Sequence, residues 1–370
     1  MRNFNPNFKV GIDCRMISHS GIGIRLYHLL KEFTKIKDKP QIFLFGDPKL
    51  IGKYSEISIF PVVPYYAKIY SIKEFFGIRE MNEMSILDIP HFNFPIRYIN
   101  KCIVTVHDLT PYVMKKFFPS ISKRIYLQLV MNFLRFSKKI ISVSEFTKSD
   151  MNKYFPQINQ DISVVYNAVD HQVFVPQKKS IIKSFKEKYN LPEEYFLTVG
   201  IGKEHKNLLF IINSLKPRYK NNHIQTPLLI AGTGGTLPIE IQNSIDGIEK
   251  FIFSVPFLEY DELPLLYAGA KCLIFPSLYE GFGLPLLEAQ ATGCPVLSSR
   301  ASVMPEILQD SAIYFDPQDS LDFYDALQKF KVYSESLQEK GFINAGKFRW
   351  RDSADKILDI YYKISEDLFP

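Results

Sequence analysis

The sequence predicts an α/β protein of two doubly wound domains, each a parallel sheet between layers of helices. Three observations support this. Short apolar runs alternate with helix-length segments along the whole chain, which is typical of strand–helix–strand units. Several runs, such as Cys102–Val106, are almost continuously apolar, as expected for strands buried on both faces. The length of 370 residues suits two domains of ordinary size.

The apolar runs place the predicted strands in two groups. The first group lies at 8–13, 41–45, 58–62, 85–90, 102–107, 140–143 and 162–166. The second lies at 195–200, 227–231, 251–254, 271–276, 295–298 and 312–315. Between the groups, residues 170–191 hold a proline, a lysine pair and a charged helix. We therefore expect one domain at 1–175 and another at 176–350.

The distribution of charge along the chain indicates which partners the protein could bind. Residues 1–175 carry 24 Lys and Arg against 14 Asp and Glu, whereas residues 176–370 carry 21 against 25. A basic first half suits an anionic membrane, a phosphorylated acceptor or nucleic acid, and plain lysine enrichment is the alternative. Because no recognisable nucleic-acid-binding module accompanies the charge, we expect no nucleic-acid partner.

Other classes of protein are excluded by simple counts. Hydrophobic residues make up 46% and charged residues 23%, which excludes a disordered chain. No apolar run is long enough to span a bilayer, and no secretory signal is visible. Four scattered cysteines fit neither a disulfide framework nor a cysteine metal site. We expect a cytoplasmic location.

The most informative stretch lies at 275–288, where an apolar strand runs into a glycine-rich loop and then a helix. Glycines let the backbone approach a ligand closely, and the N–H groups at a helix start bind anions. The backbone expected to hold a diphosphate is that of Gly281, Phe282, Gly283 and Leu284. Glu280 and Glu288 are then left for neutral hydroxyls, such as sugar and ribose diols.

This stretch, P-S-L-Y-E-G-F-G-L-P-L-L-E, resembles the E-x7-E motif of retaining GT-B glycosyltransferases of the large family-4 group. The resemblance covers most of the chain. It implies two Rossmann-like domains facing across a cleft, with the acceptor on the first and the nucleotide sugar on the second. The last helix, at 351–370, should pack back on the first domain. The resemblance assigns Glu280 to the sugar hydroxyls and to developing positive charge, and Glu288 to the ribose.

Two further segments of the second half agree with the family. The run T-V-G-I-G-K-E-H-K-N at 198–207 resembles a loop whose lysine, here Lys206, contacts the donor diphosphate. Ile201 stands where many members have an arginine, so Lys203 or His205 is the candidate for a second cation; a solvated charged loop is the alternative. The segment at 251–258 resembles one that reads the nucleotide base, which implies that Val255 and Pro256 line that slot.

The first half carries weaker resemblances. Gly21 and Gly23 are not a dinucleotide fingerprint, because position 26 is leucine, but they resemble a glycine loop that approaches the donor phosphates. V-H-D-L at 106–109 resembles the family's histidine near the donor sugar, His107; a structural histidine is the alternative. P-H-F-N-F-P at 90–95 resembles a pattern in bacterial polysaccharide mannosyltransferases. His91 or Asn93 would border the acceptor, although a turn held by Asn93 fits equally well.

Together these features predict a retaining hexosyltransferase that needs no cofactor and, since no D-x-D triplet is present, no metal. Its catalytic residues are expected to be Glu280, His107 and Lys206. Mannose from GDP-mannose is the favoured donor, and a growing, lipid-linked bacterial surface glycan such as lipopolysaccharide the acceptor. UDP- or dTDP-sugars are alternative donors. A non-catalytic nucleotide-sugar-binding module and a nucleotide-sugar epimerase are alternatives of another class.

Basic and apolar residues alternate at 115–118 and 122–139. The apolar set there has helical spacing, which first of all predicts a stripe facing the core. A basic amphipathic segment also suits the surface of an anionic membrane. The sharper hypothesis is that the enzyme associates peripherally with the inner face of the cell membrane.

Overall fold

The computed structural model describes residues 2–117, 121–200 and 203–370. The chain divides into two compact units. Unit 1 runs to Ala168 and takes in Arg349–Pro370, and unit 2 is Val169–Phe348. The division thus falls after residue 168, whereas the sequence placed it after 175. The segment that returns to unit 1 begins at 349 rather than 351.

Unit 1 contains a seven-stranded sheet in which every pair of neighbouring strands is parallel. Its strands are Lys9–Asp13 (β1), Gln41–Gly46 (β2), Val62–Pro64 (β3), Ile86–Ile89 (β4), Cys102–Val106 (β5), Lys139–Ser142 (β6) and Ile162–Val164 (β7). Their order is β3-β2-β1-β4-β5-β6-β7. All five residues of β5 are buried, because helices cover both faces of the sheet.

One predicted strand is displaced. The apolar run at 58–62 was expected to enter the sheet, but β3 begins only at Val62. Residues Ser55–Ile57 form a 3-10 turn instead, with Ile57 in the core. Pro61 precedes the strand, and since proline has no N–H to donate to a ladder, it is tolerated at a strand start.

The α-helices of unit 1 are Ser20–Lys35 (α1), Pro48–Ile51 (α2), Ile72–Phe76 (α3), Thr110–Val113 (α4), Ile121–Phe133 (α5) and Glu145–Tyr154 (α6). The C-terminal helix Trp350–Leu368 also packs in this unit, against α1. Trp350 stacks on the ring of His28 with centroids 5.1 Å apart, and Tyr361 donates a hydrogen bond to the buried carboxylate of Asp88.

Unit 2 contains a six-stranded parallel sheet. Its strands are Phe196–Val199 (β8), Leu228–Ala231 (β9), Ile252–Ser254 (β10), Cys272–Phe275 (β11), Val296–Ser299 (β12) and Ile313–Phe315 (β13). Its helices are Lys179–Lys188 (α7), Leu208–Lys220 (α8), Ile239–Ser244 (α9), Leu263–Ala268 (α10), Leu284–Ala291 (α11), Met304–Leu308 (α12) and Ser320–Ala345 (α13). The C-terminal helix of unit 1, Trp350–Leu368, is α14. The strand order β10-β9-β8-β11-β12-β13 is that of a Rossmann-like sheet. The predicted architecture of two doubly wound α/β units is therefore confirmed.

Candidate functional site

The point where the strand order of unit 2 reverses lies between β8 and β11, which pair in parallel. Such switch points are where open α/β sheets bind ligands, because the loops that leave the two strands diverge there. Hydrogen bonds tie these loops together. Leu278 N–H donates to the carbonyl of His205 at 2.8 Å. The side-chain amide of Asn207 donates to the carbonyls of Pro276 and Pro317 at 3.3 and 2.9 Å.

This edge of the sheet brings Lys206 and Glu280 into an ion pair. Lys206 ends a 3-10 turn after β8, and Glu280 lies in the loop after β11. Lys206 Nζ lies 2.5 Å from Glu280 Oε1, and the two side chains are only 20% and 13% exposed. The ammonium also lies 5.5 Å from the centre of the Phe275 ring. The sequence predicted both residues at the donor site, but nothing in it indicated that they pair.

The backbone of Glu280 is held by a residue that sequence reasoning missed. Glu280 N–H donates to Ser302 Oγ at 2.9 Å, and Ser302 itself has a φ of +49°. For a residue with a side chain this left-handed conformation is strained. No local pattern of residues indicated a role for this hydroxyl.

The glycine-rich loop ends as the sequence predicted, with α11 beginning at Leu284 and a proline in its first turn. Gly283 caps the helix at a φ of +88°, where a Cβ would lie 2.8 Å from Leu286 Cδ1. Residues 281–283 are buried. Their backbone thus leads directly into the start of α11, where the positive end of the helix dipole suits an anion.

Glu288 lies one turn inside α11 and is 7% exposed. Tyr267 Oη donates to its Oε2 at 2.9 Å. Burial raises the pKa of Glu288 to about 7, although the bond from Tyr267 acts in the opposite direction. Glu288 is therefore partly protonated near neutral pH, which the sequence did not suggest.

The remaining predicted donor residues lie on neighbouring loops. Val255 follows β10 with its side chain in the core, and its N–H donates to Ile230 at 3.4 Å. Pro256 is exposed, as is Lys203. His205 is buried, which makes Lys203 the more accessible candidate for a second cation. Ile201 lies outside the described residues.

In unit 1, His107 directly follows β5. Its Nε2 lies 2.8 Å from the carbonyl oxygen of Pro90, so this nitrogen carries the proton and Nδ1 is an acceptor. Burial, with a contribution from nearby Arg25, lowers the pKa of His107 to about 3. The imidazole is therefore neutral at pH 7, and it suits the role of accepting a hydrogen bond rather than that of supplying a proton.

His91 and Asn93, the predicted acceptor-side residues, lie in a buried polar network. Asn93 Nδ2 donates to Glu74 Oε2 at 3.3 Å and to the Tyr126 hydroxyl at 3.1 Å. Arg15 pairs with Glu74 at 2.8 Å and donates to the Asn93 carbonyl at 3.4 Å. Burial lowers the pKa of His91 to about 4. This geometry supports the alternative in which Asn93 holds the loop.

Gly21 and Gly23 were expected in a loop before the first helix, and this expectation is wrong. Helix α1 begins at Ser20, so both glycines lie in its first turn. Gly23 N–H donates to the carbonyl of His19 at 2.6 Å, and a Cβ on Gly23 would lie 2.3 Å from Ile17 O. The glycine is required by this close approach of helix and loop.

Among the residues that the structure describes, no group of three or more His, Cys, Asp or Glu side chains could hold a metal ion. No helix in the described ranges is both long and apolar enough to cross a membrane.

Solved structures establish the class of fold. Sucrose-phosphate synthase from Thermosynechococcus elongatus superposes with a TM-score of 0.75 at 15% identity, over 96% of this chain and 99% of that one. Anabaena HepE in complex with UDP and glucose gives 0.74 at 16%, over 95% and 99%. With two Rossmann-like units, the protein has the fold of the GT-B glycosyltransferases.

Family models then match both units. The model described as Glycosyltransferase Family 4 matches residues 19–173, and that described as Glycosyl transferases group 1 matches residues 180–348. The chain belongs to this group of glycosyltransferases.

Its curated relatives include enzymes of bacterial O-antigen synthesis. The chain is 24% identical over 307 residues to O-antigen chain mannosyltransferase B of Escherichia coli, covering 81% of this chain and 80% of the relative. It is 25% identical over 254 residues to O-antigen chain mannosyltransferase RfbU of Salmonella typhimurium, covering 67% of this chain and 65% of the relative. The second match thus spans slightly less than two thirds of that relative's length.

Proposed function

We propose that the protein is a retaining, metal-independent hexosyltransferase that moves mannose from GDP-mannose to a growing, lipid-linked bacterial surface glycan. The pairing of Lys206 with Glu280 at the switch point of unit 2 carries this proposal. It supplies one cation for a departing diphosphate and one carboxylate for positive charge that develops on the sugar. The names of the O-antigen relatives support mannose and a surface glycan.

The reaction exchanges one bond to the anomeric carbon for another. The bond between that carbon and the β-phosphate oxygen breaks, and its electron pair leaves with the nucleoside diphosphate. The acceptor hydroxyl attacks from the same face, and its proton passes to the leaving phosphate. In a site shielded from water, the Lys206 ammonium and the amides at the start of α11 stabilise the departing anion far more than they would in bulk water.

The other predicted residues take supporting roles. Glu280 binds sugar hydroxyls and stabilises the oxocarbenium-like charge. Glu288, held by Tyr267, binds the ribose diol. His107 accepts a hydrogen bond from a sugar hydroxyl through Nδ1, since its other nitrogen is engaged by Pro90.

Alternative donors are UDP- and dTDP-sugars, and the UDP-bound state of HepE supports keeping UDP in the test. Thermal shift with GDP-, UDP- and dTDP-sugars separates them, because stabilisation follows RT ln(1 + [L]/Kd).

Nucleoside diphosphate release that requires an acceptor supports a transferase. Binding without release indicates a non-catalytic module, and a changed sugar without release indicates an epimerase. Turnover that persists in EDTA supports metal independence.

A membrane surface is the proposed second partner, and helix α5 provides the contact. Leu127, Val130 and Met131 of α5 are buried, as is Leu134 directly after the helix. The core-facing stripe that the sequence predicted included Leu127, Leu129, Phe133 and Leu134. Leu127 and Leu134 are buried as predicted, whereas Leu129 and Phe133 do not face the core. Ile121, Ile125, Leu129 and Phe133, spaced four residues apart, are 65%, 57%, 54% and 37% exposed.

The short helix α3 adds exposed apolar side chains beside those of α5. The rings of Phe75 and Tyr126 stack with centroids 6.0 Å apart, so α3 lies beside α5. Ile72 and Phe76 of α3 are also largely exposed. We call the exposed side chains of Ile72, Phe76, Ile121, Ile125, Leu129 and Phe133 the apolar face.

The stretch of sequence that contains α5 is basic, which suits an anionic bilayer. The sequence has no Asp or Glu between Asp108 and Glu145, but it has seven Lys and Arg there. Each basic residue near an anionic membrane contributes about 1 kcal/mol, and the apolar side chains add their burial among the lipid headgroups. The proposed location is the inner face of the cell membrane, where a lipid-linked acceptor is presented.

A further inference from the structure

We propose that Glu280 and the donor diphosphate compete for Lys206, so that donor binding proceeds by an exchange in which phosphate replaces the carboxylate. This inference rests on the proposed function. It adds that the glutamate which assists the sugar also weakens binding of the free nucleotide.

The competition follows from charge and space. One ammonium faces one carboxylate at 2.5 Å, and both side chains are largely shielded from solvent. A diphosphate that approaches the same ammonium brings further negative charge next to Glu280. Repulsion between like charges in a partly buried site is costly, because water screens it only weakly. The carboxylate therefore has to leave the lysine when phosphate arrives.

The exchange requires only a side-chain movement. The peptide N–H of Glu280 is held by Ser302 Oγ at 2.9 Å, and the loop is tied to the 205–207 segment by the Leu278 and Asn207 hydrogen bonds. These contacts do not involve the carboxylate. Rotation of the Glu280 side chain thus frees Lys206 without reorganising the loop.

The exchange also sets the order in which Lys206 and Glu280 act. In the free protein, each neutralises the other, and neither is available for chemistry. Once phosphate engages Lys206, the carboxylate is released while its backbone stays in place. The hexose is attached to that phosphate, so the released carboxylate meets the sugar end of the donor.

The test measures binding of GDP, with UDP in parallel, to the full chain by isothermal titration calorimetry. Glu280→Gln keeps the shape of the side chain and removes its charge. We expect it to lower the Kd about tenfold, equivalent to about 1.4 kcal/mol. Glu204→Gln is the matched control, because Glu204 is exposed in the loop that carries Lys206 and its replacement removes the same charge. It should change the Kd less than about twofold.

A double-mutant cycle identifies the cause. If the pair is responsible, Glu280→Gln should not tighten nucleotide binding when Lys206 is replaced by glutamine. Glu280→Asp draws the carboxylate back by one methylene and should give a smaller gain in nucleotide affinity. It replaces the glutamine variant in this test if that variant fails to fold.

The outcomes separate this inference from the proposed function. Nucleotide binding that is unchanged or weaker in Glu280→Gln and Glu280→Asp would overturn the competition alone. A gain that persists without Lys206, or one equalled by Glu204→Gln, would overturn it as well. Failure of the wild-type protein to bind either nucleotide would overturn the proposed function together with this inference.

Discussion

Ser302 Oγ accepts a hydrogen bond of 2.9 Å from the backbone N–H of Glu280. Ser302 is in a left-handed conformation, with a φ of +49°, which glycine would adopt with less strain. The hydroxyl thus joins the loop after β12 to the loop after β11. Glu280 is held through its backbone by this serine and through its carboxylate by Lys206.

Ser302→Ala should reduce kcat by about tenfold and leave the affinity for GDP nearly unchanged. The substitution removes a hydrogen bond that contributes roughly 1–1.5 kcal/mol and loosens a group used in the transition state. Ser302→Gly relieves the strained φ but also lacks the hydroxyl. A loss of kcat in both variants, measured with saturating donor, indicates positioning. Recovery in the glycine variant would instead assign the effect to backbone strain.

Glu280→Ala should lower kcat by at least 100-fold, about 2.7 kcal/mol of transition-state stabilisation. Binding of the nucleoside diphosphate should survive, because the lysine and the backbone amides remain. Single-turnover rates and nucleotide titrations of the same preparation separate the two effects. Turnover close to that of the wild-type protein would exclude the assigned role.

The free energy of unfolding should depend on pH through Glu288. Burial raises its pKa to about 7, whereas the pKa of a glutamate in an unfolded chain is about 4.3. Between these values the folded protein binds a proton that the unfolded chain lacks, so stability falls as the pH rises through this window. Above it, the ionised carboxylate costs roughly 4 kcal/mol.

Glu288→Gln removes this penalty. Its stability relative to the wild-type protein should therefore improve by roughly 3 kcal/mol between pH 4.5 and pH 8, measured by urea unfolding of both proteins at each pH. Taking the difference between the two proteins cancels the contributions of other titrating groups. A difference that is independent of pH would contradict the raised pKa.

Replacing Ile125 and Leu129 together by asparagine should abolish most co-sedimentation with vesicles that contain phosphatidylglycerol. Both side chains are more than half exposed, so the fold should tolerate the change. Val332→Asn is the control, because Val332 is 74% exposed on α13 of the other unit. It should leave sedimentation unchanged. Absence of wild-type sedimentation at low salt, or equal loss in the control, would argue against the apolar face.

Gly23→Ala should destabilise unit 1 by about 1–3 kcal/mol, because the new Cβ would lie 2.3 Å from Ile17 O. Gly21→Ala is a matched change in the same helical turn, where the added Cβ meets no atom within 4 Å. It should be neutral or slightly stabilising, since alanine favours a helix over glycine. Thermal unfolding of the two variants provides the comparison. Equal effects would show that the close approach is relieved at little cost.

The parallel strands and the loop that leads into α11 were predictable because they depend on local pattern. A run such as Cys102–Val106 is almost continuously apolar because both of its faces are covered, and Pro285, two residues after Gly283, suits the first turn of a helix. The start of α1 was misplaced because two glycines one residue apart suggest a loop. Only the packing of Gly23 against Ile17 O shows why a glycine lies inside the helix.

The two faces of α5 illustrate another limit. Apolar residues occur on both sides of this helix, so spacing alone does not indicate which side meets the core. The neighbouring elements decide, since they cover Leu127 and Val130 but leave Ile125 and Leu129 exposed.

By itself, the sequence determined the order of strands and helices, the family, and the residue types available to a nucleotide sugar. The tertiary structure decided which of those residues meet. Lys206 and Glu280 are 74 residues apart in the chain, and they form an ion pair because β8 and β11 are neighbours in the sheet. The partnership of Glu288 with Tyr267, and the raised pKa that accompanies it, likewise depends on burial. Strand adjacency and desolvation arise only when distant segments pack together, and no local pattern of residues encodes them.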